Sequence, residues 1–512
     1  MLQPDPTDAE LATPDRRRLA AVDLGSNSFR LLIVDVDDSS AGAQIRMVDQ
    51  IKESVRLGAG LDHERELSPS AQQSALAALG RFSERLRGFH PESVRAVATN
   101  TFRVARNRAA FLEIAGRALG FPIEVIAGRE EARLIYVGAS HALPLDHQPR
   151  LVVDIGGGST ECIIGIDHEP KRRESFQMGC VALTQEFFAD GRITRAALRR
   201  ARLRCGELLA AEVRAFARIG WRAAIGTSGT AKSLSQIGAA LTGNAAITRT
   251  SLAAIEAEVL RAGAADALAF DGLKPDRRAV FCGGLAAMQA AFEEFDIDEM
   301  SYCDSALREG ILYDLLGRAS GSDRREITIS HLVERYRMAD AHGREVAKVA
   351  CELLSQLSAR RADPAQLQML AWAARIREIG SFIAHADAHK HGAYIVANAD
   401  LPGFSGAEQR LLALLVLGQT GGLRKLRPHQ PSAAEWRMIL CLRLAVILQR
   451  RRDGRETPIR LRAVTGGTES GWRIELAAAW SEQHPLTSQS LADETAQWQA
   501  AGIFVPVDFV LT

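Results

Sequence analysis

The sequence predicts an α/β protein in which two duplicated domains are followed by an all-helical domain and a small C-terminal α+β domain. Strand-like and helix-like segments alternate from residue 19 to about residue 318, and helical periodicity dominates the stretch that follows. An internal repeat also opens each α/β part. We therefore expect a disordered tail at 1–18, α/β domains at 19–136 and 137–318, a helical domain at 325–455 and the α+β domain at 456–512.

The bulk composition is that of an ordinary globular protein large enough for several hydrophobic cores. The chain has 512 residues, of which 47% are hydrophobic. Its 63 Lys and Arg residues nearly balance its 62 Asp and Glu residues, which leaves a net charge of +1. This balance gives no reason to expect a nucleic-acid partner.

The seven cysteines are scattered and form no CxxC pair, a pattern typical of a reducing cytosol that predicts no zinc site. No uninterrupted apolar stretch approaches the ~20 residues that a membrane-spanning helix needs. The N-terminal "MLQPDPTDAELATPDRRR" lacks the apolar core of a signal peptide. We therefore expect a cytoplasmic protein, with a peripheral association with the inner membrane left open.

The first α/β domain begins with two strands, "LAAVDL" and "FRLLIVDV". A helix with a Ser-Pro start follows in "SPSAQQSALAALGRFSERLRGF", then a strand in "SVRAVATN". The pattern continues with the helix "RVARNRAAFLEIAGRALG", which ends at a glycine, and the strand "PIEVIAG". This alternation favours an α/β sheet with helices packed on it.

The second α/β domain begins at "RLVVDIGGGSTECIIGI" and closes with the helix "SALREGILYDLLGR". The polar segment "ASGSDRRE" is typical of a linker. Helical spacing then runs through segments such as "LVERYRMADAHGREVAKVACELLSQL". Short alternating runs such as "WRIELAAAW" predict the α+β part at the C-terminus.

The internal repeat gives the first indication of chemistry. "AAVDLGSNSFRLLIV" at 20–34 aligns without a gap with "LVVDIGGGSTECIIG" at 151–165, so that Asp23 matches Asp154 and Ser28 matches Ser159. Glycine lets backbone N–H groups converge on one anionic oxygen, and hydroxyls add side-chain donors. Either loop alone fits a simple turn, but a pair can clamp one phosphate chain from two sides. The predicted walls are Gly25, Ser26, Asn27 and Ser28 on one side and Gly156, Gly157, Gly158, Ser159 and Thr160 on the other.

Two basic residues are further phosphate-binding candidates. Arg103 in "TNTFRVARN" follows a strand and is placed where it could reach the cleft between the loops. Lys232 lies in "GTSGTAK", a third turn rich in glycine and hydroxyls. A solvated position at the start of a helix is the alternative for Arg103.

Seven ordered motifs resemble the exopolyphosphatase / guanosine pentaphosphate phosphohydrolase (Ppx/GppA) family, and the resemblance extends from about residue 19 through the helical part. They are "VDLGSNSFRLLI", "ATNTFRVARN", "AGREEARLIYVGA", "VVDIGGGSTECIIG", "MGCVALTQEFF", "GTSGTAKSL" and "CDSALREGILYDLL". The duplicated architecture likewise resembles the actin / heat-shock-seventy / sugar-kinase superfold. The resemblance implies a phosphoanhydride hydrolase.

The resemblance also assigns roles to acids that the residues alone leave open. The second Glu of the family's "EEARL" element, its proposed water-activating carboxylate, corresponds to Glu131. Glu130 should point elsewhere, since adjacent helical residues do not share a face. Asp154 and Glu161 correspond to acids with catalytic and metal-binding roles, so we expect them to bind Mg²⁺, with Asp23 as a weaker third ligand. A monovalent cation is a further candidate cofactor, whose requirement the sequence does not decide.

The helical domain resembles the HD-hydrolase module of longer family members, but "AARIREIGS" has Arg377 and Glu378 where a His-Asp pair would bind metal. His385, His389 and His391 cluster nearby without a completed ligand set. We therefore expect this domain to be non-catalytic and to extend a polyanion groove or to mediate contacts in a homodimer.

The first hypothesis for function is an exopolyphosphatase that releases terminal orthophosphate from inorganic polyphosphate, with water activated by Glu131. Hydrolysis of guanosine pentaphosphate is the alternative, because the same cleft could bind either substrate. A nucleotide-binding sensor without turnover and an ATP-dependent kinase are the alternatives from other classes.

Overall fold

The computed structural model describes residues 16–37, 44–319, 323–357, 362–452, 459–466, 469–501 and 507–511. The chain divides into two compact units, residues 1–321 and 322–512. The tail expected at 1–18 lies outside the described residues as far as residue 15. The first strand already begins at Arg16, so Arg16–Arg18 belongs to a sheet and not to a tail. Across the described ranges, every helix is too short or too polar to cross a membrane.

The first sheet of unit 1 has five strands in the order β3-β2-β1-β4-β5. They are β1 (Arg16–Leu24), β2 (Phe29–Asp37), β3 (Gln44–Glu53), β4 (Val94–Ala98) and β5 (Ile123–Val125). Strands β1 and β2 form the predicted antiparallel hairpin, and β4 runs parallel to β1. The helices that follow these strands are α1 (Pro69–Arg85), α2 (Asn100–Val104) and α3 (Arg108–Leu119).

The predicted Ser-Pro start of α1 is confirmed. Ser68 caps the helix by accepting a hydrogen bond from the backbone N–H of Ala71 at 3.4 Å, with Pro69 in the first turn. Helical spacing then turns Ala75, Leu79 and Phe82 into the core, where each is fully buried.

The second sheet has six strands in the order β10-β11-β9-β6-β7-β8 and repeats the opening of the first. The strands are β6 (Pro149–Ile155), β7 (Thr160–Ile166), β8 (Glu169–Phe176), β9 (Ala223–Thr227), β10 (Ile247–Thr248) and β11 (Glu299–Tyr302). Again the first two strands form a hairpin, and β9 runs parallel to β6. The associated helices are α5 (Cys180–Phe187), α6 (Arg195–Ile219), α7 (Ser228–Thr242), α8 (Arg249–Ala262), α9 (Pro275–Arg278) and α10 (Phe281–Glu294). The two-sheet α/β core is therefore confirmed.

Two helices join the sheets into one unit: α4 (Gly128–His141) and α11 (Leu307–Ala319). They share a hydrophobic cluster with buried residues of both sheets. A Cβ on Gly138 would lie 1.8 Å from the Ala306 carbonyl oxygen, so only glycine allows this close helix crossing. The boundary expected between 136 and 137 therefore falls inside a helix that packs with both sheets.

Unit 2 begins with the predicted helices. They are α12 (Arg324–Arg335), α13 (Asp340–Gln356), α14 (Pro364–Ile376), α15 (Ala388–Asn398), α16 (Gly406–Gly418) and α17 (Ala433–Leu448). The C-terminal part is a three-stranded sheet with two helices, in the order β12 (Ile459–Gly466), β13 (Glu469–Leu476), α18 (Ala478–Gln483), α19 (Pro485–Ala501) and β14 (Val507–Leu511).

The C-terminal strands and helices share one core with the helices before them. Trp498 on α19 packs edge-on against Trp436 of α17 at 5.6 Å and against Trp472 of β13 at 5.9 Å. The α+β content predicted at 456–512 is present. Because it buries its aromatic side chains against α17, it does not form a separate core.

Candidate active site

The two hairpin loops of unit 1 lie against each other. A Cβ on Gly157 would lie 3.0 Å from the Ser26 Cβ, and a Cβ on Gly158 would lie 2.3 Å from the Asn100 Oδ1. A side chain at either position would therefore force its neighbour to move, so the close approach of the two loops favours glycine. Asn100 also donates a hydrogen bond to Gln177 at 2.7 Å, which ties the first half of the unit to the second. The predicted pairing of the loops is thus observed.

A cleft of about 460 Å³ opens beside the loops. Most of the site residues predicted from sequence line it: Asp23, Gly25, Ser26, Asn27, Ser28, Glu131, Asp154, Gly156, Gly157, Gly158, Ser159 and Lys232. Three predicted residues are not among those that line it: Arg103, Thr160 and Glu161. The Thr160 hydroxyl instead donates to the Met178 carbonyl at 2.9 Å, because the pleat of β7 turns it into the protein.

Glu131 lies in the first turn of α4, where its side chain is buried but reaches the cleft. Arg103 Nη1 donates to Glu131 Oε2 at 2.7 Å and to the Ile126 carbonyl at 3.1 Å. Arg103 therefore orients the acid from behind, and its expected role as a phosphate ligand stays a prediction. Burial raises the pKa of Glu131 and outweighs the opposing effect of Arg103. A carboxylate with a raised pKa suits a general base near neutral pH.

Glu130 points away from the cleft, as the helical spacing predicts. It pairs with Arg133 at 2.8 Å, and Arg133 also contacts Asp314 of α11. Arg95 of β4 contacts the same Asp314 at 2.7 Å. These buried charges tie α4 to α11 and to the first sheet, so Glu131 is held on a rigid element.

Asp154 and Glu161 lie directly opposite each other in the β6–β7 register. Asp154 Oδ2 accepts from the Thr227 hydroxyl at 2.6 Å, and Glu161 Oε1 accepts from the Ser175 hydroxyl at 2.7 Å. Burial raises the pKa of both carboxyl groups, and for Glu161 the repulsion from Glu131 and Asp154 adds to it. Asp154 thus reaches the cleft, while Glu161 lies within the sheet and does not line the cleft.

Asp23 completes a cluster of four acids. Its Oδ1 is buried and has no hydrogen-bond partner among the described residues. Burial raises its pKa to about 7, and repulsion from Glu131 and Asp154 adds to the rise while Arg30 and Arg308 oppose it. A cation bound beside buried carboxylates that repel one another would stabilise their charged form. Among the described residues, no group of three His, Cys, Asp or Glu side chains is arranged to hold a metal by itself.

The positive charge in the cleft comes mainly from residues that the sequence did not single out: Arg30, Lys52, Lys274, Arg277 and Arg308. Arg308 is 6% exposed and its Nη1 is buried with no hydrogen-bond partner among the described residues. The Arg277 guanidinium lies against Gly229, because a Cβ added to Gly229 would be 1.8 Å from Arg277 Nη2. Arg30 carried a usable signal, because it is a single charge in the apolar strand "FRLLIV". Lys52, Lys274 and Arg277 lie in polar segments and carried none.

The third turn also faces the cleft. Ser228 joins β9 to α7 with φ 66°, a left-handed conformation that a non-glycine residue adopts at a cost, and its hydroxyl donates to the Ile155 carbonyl at 2.8 Å. Lys232 follows on α7, and its Nζ lies 3.3 Å from Asp304 Oδ1. This turn therefore bonds to the end of β6, directly before the second glycine loop, and presents one cation to the cleft.

Comparison with known proteins decides which family uses this arrangement. A model of the Ppx/GppA phosphatase family matches residues 32–319, and a model of Ppx/GppA phosphatase domain III matches residues 324–495. The chain belongs to the Ppx/GppA phosphatase family. Members of this family are phosphoanhydride hydrolases, so this Ppx/GppA protein is an enzyme.

Among its relatives is the guanosine-5'-triphosphate,3'-diphosphate pyrophosphatase of Aeromonas hydrophila, which is 36% identical over 494 residues. That match covers 94% of this chain and 97% of the relative. Among solved structures, an exopolyphosphatase-like protein has a TM-score of 0.52 and 26% identity, covering 59% of this chain and 100% of its own. The exopolyphosphatase of Cytophaga hutchinsonii has a TM-score of 0.53 and 24% identity, covers 59% of this chain and 98% of its own, and supports the fold.

In unit 2 of this Ppx/GppA protein, the positions expected for an HD metal pair hold an ion pair. Arg377 Nη1 lies 2.6 Å from Glu378 Oε1, and Arg452 lies 3.1 Å from the same oxygen. His389 lies beside Gly421 and Lys425. The roles of His385 and His391 stay open.

Proposed function

We propose that this Ppx/GppA protein hydrolyses the terminal phosphoanhydride of guanosine pentaphosphate to give the tetraphosphate and orthophosphate. The observation that carries the proposal is Glu131, a buried carboxylate oriented by Arg103, at a cleft walled by two glycine loops. Inorganic polyphosphate is the second candidate substrate, because its terminal group presents the same anhydride.

The loops would bind the phosphate chain. Gly25–Ser28 and Gly157–Ser159 offer backbone N–H groups, and Ser26, Ser28 and Ser159 add hydroxyl donors. The Gly156 N–H instead donates to the Ser159 carbonyl at 2.9 Å and closes the loop. Arg30 and Arg308 would offset the charge of the phosphoryl oxygens. Preorganised donors of this kind stabilise the charge that spreads over the transferring group in the transition state.

Glu131 would act on the attacking water. As the water oxygen bonds to the terminal phosphorus, the bond from phosphorus to the bridging oxygen breaks and that oxygen leaves with its electron pair on the remaining phosphate chain. The water proton passes to the Glu131 carboxylate. Arg103 keeps one Glu131 oxygen occupied, so the other is directed to the water.

Magnesium fits the acids at this site. Asp23 has a buried oxygen that no described residue hydrogen-bonds, and Asp154 lines the same cleft. Mg²⁺ is commonly bound by one or two carboxylates together with waters and substrate phosphates, so a complete protein cage is not required. We propose that Asp23 and Asp154 hold the ion, with Glu161 behind them, and that the bound ion supplies positive charge to the phosphate oxygens.

We place guanosine pentaphosphate before inorganic polyphosphate because of a similarity over the full length of the chain. The sequence motifs alone favoured inorganic polyphosphate. The Aeromonas hydrophila relative, matched over 97% of its length, is named for guanosine pentaphosphate chemistry, and this reverses the order. The exopolyphosphatase-like structure keeps polyphosphate as the second candidate. The homodimer and the monovalent cation stay predictions.

A phosphate-release assay with both substrates, each with Mg²⁺ and with excess EDTA, tests the proposal. We expect orthophosphate from guanosine pentaphosphate only when Mg²⁺ is present, and a lower kcat/KM for inorganic polyphosphate. Saturable binding of both compounds without phosphate release would contradict it and would support a sensor. Release of orthophosphate from inorganic polyphosphate alone would make polyphosphate the first candidate substrate.

A further inference from the structure

An ion-pair bridge crosses the rim of the cleft. Asp276 Oδ2 lies 3.3 Å from Lys52 Nζ and 3.3 Å from the Ser54 hydroxyl. Lys52 is on β3 and Ser54 follows it, whereas Asp276 is in α9, so a single carboxylate joins the two halves of unit 1. Lys52 and Arg277 line the cleft while Asp276 lies just outside it.

The bridge places a negative charge among the basic residues of the rim. Lys274 and Arg277 flank Asp276 in sequence, and both line the cleft with Lys52. Burial acts to raise the pKa of Asp276, but Lys52 and Ser54 outweigh it and hold that pKa below its usual value, so the carboxylate is charged at neutral pH. A phosphate that contacts Lys52 would have to approach this carboxylate.

We propose that Asp276 is a specificity-determining residue that favours short phosphate chains over long inorganic polyphosphate. The inference rests on the proposed function, since it concerns which polyphosphate the cleft of this hydrolase accepts. The glycine loops, Arg30 and Arg308 are sufficient to bind all the phosphates of a short chain. A long chain continues past the loops to the rim, where it must displace Lys52 from Asp276 and is repelled by the carboxylate.

The test compares tripolyphosphate with long-chain polyphosphate, at equal concentrations of chain ends, in the wild type and in Asp276→Asn. We expect the KM for the long chain to fall about two- to fivefold, the size expected when one partly exposed ion pair stops competing. The KM for tripolyphosphate and the kcat for both should stay within error. The KM for the long chain should also depend more steeply on salt in Asp276→Asn, because Lys52 then neutralises one more phosphate.

Three further variants separate charge from structure. Asp276→Glu keeps the charge and should restore the wild-type ratio of the two KM values. Ser54→Ala removes one hydrogen bond without changing the charge and should leave the ratio unchanged. Asp271→Asn removes an exposed charge from the segment before α9 and is the matched control.

An equal change in both KM values, an unchanged ratio, or a fall in kcat with both chains in Asp276→Asn would overturn the inference. Calorimetric binding of both chains gives the same ratio independently of turnover. If the wild type releases no phosphate from any substrate, the proposed function fails, and the calorimetric ratio still decides the role of Asp276.

Discussion

The hairpins at 20–34 and 151–165 share one backbone plan but differ in the residue that faces the leading acid. In the first hairpin Asp23 lies opposite Arg30, and in the second Asp154 lies opposite Glu161. One hairpin therefore pairs an acid with a base, while the other concentrates two acids. We propose that the first hairpin offsets phosphate charge through Arg30, while each hairpin contributes one acid, Asp23 or Asp154, to the proposed ion site. The difference shows that an internal repeat predicts geometry better than it predicts chemistry.

The largest effect on kcat should come from Glu131, which lies outside both hairpins. Variants within the hairpins are compared with it. We expect Glu131→Gln to lower kcat about 10²- to 10⁴-fold, because a positioned base contributes about that much. Steady-state phosphate release measures kcat, and circular dichroism checks the fold. Glu113→Gln, at an exposed helix position, is the control. A kcat within threefold of wild type would remove Glu131 from the mechanism.

The second hairpin is the next most sensitive region. Asp154→Asn should lower kcat about 100-fold, the order seen when one electrostatic contact to the reacting group is lost. It should also raise the Mg²⁺ concentration that gives half-maximal activity. Titration with Mg²⁺ after EDTA treatment measures this concentration, with Asp298→Asn as an exposed control. An unchanged Mg²⁺ requirement would mean that Asp154 does not hold the ion.

The first hairpin should respond in binding more than in turnover. Arg30→Met should raise KM at least about tenfold, since a charged hydrogen bond is worth about 1.5–3 kcal/mol. Arg46→Met, on the neighbouring strand and 73% exposed at its side chain, should leave KM unchanged. If Arg30→Met lowered kcat and left KM unchanged, the proposal that Arg30 of the first hairpin acts mainly in substrate binding would be wrong.

The smallest effect is a shift in pH dependence. Arg103 lowers the pKa of Glu131, so Arg103→Gln should raise that pKa further. Because the base acts when ionised, kcat/KM rises with pH through this pKa, and its acidic limb should move to higher pH in the variant. A pH profile of kcat/KM measures the shift. A limb that stays in place or moves to lower pH would show that Arg103 does not act through Glu131.

Local patterns were sufficient for much of the site. The strands, the glycines and the leading acids of both loops follow from alternation and turn chemistry within about 15 residues, so the repeat exposed them. Arg103 shows the limit of such reasoning. Its position after a strand suggested contact with phosphate, but its direction depends on the backbone of Ile126 and on Glu131, which lie more than 20 residues further along the chain.

By itself, the sequence determined the α/β repeat, the helical part that follows it and the acids at the loops, because each is written in a short stretch of chain. Only the tertiary structure decided which cations meet in the cleft. Lys52, Arg277 and Arg308 are separated by up to 256 positions and come together because two sheets close around one cleft. It also decided that the C-terminal strands share a core with α17, since burial of Trp498 depends on what packs against it.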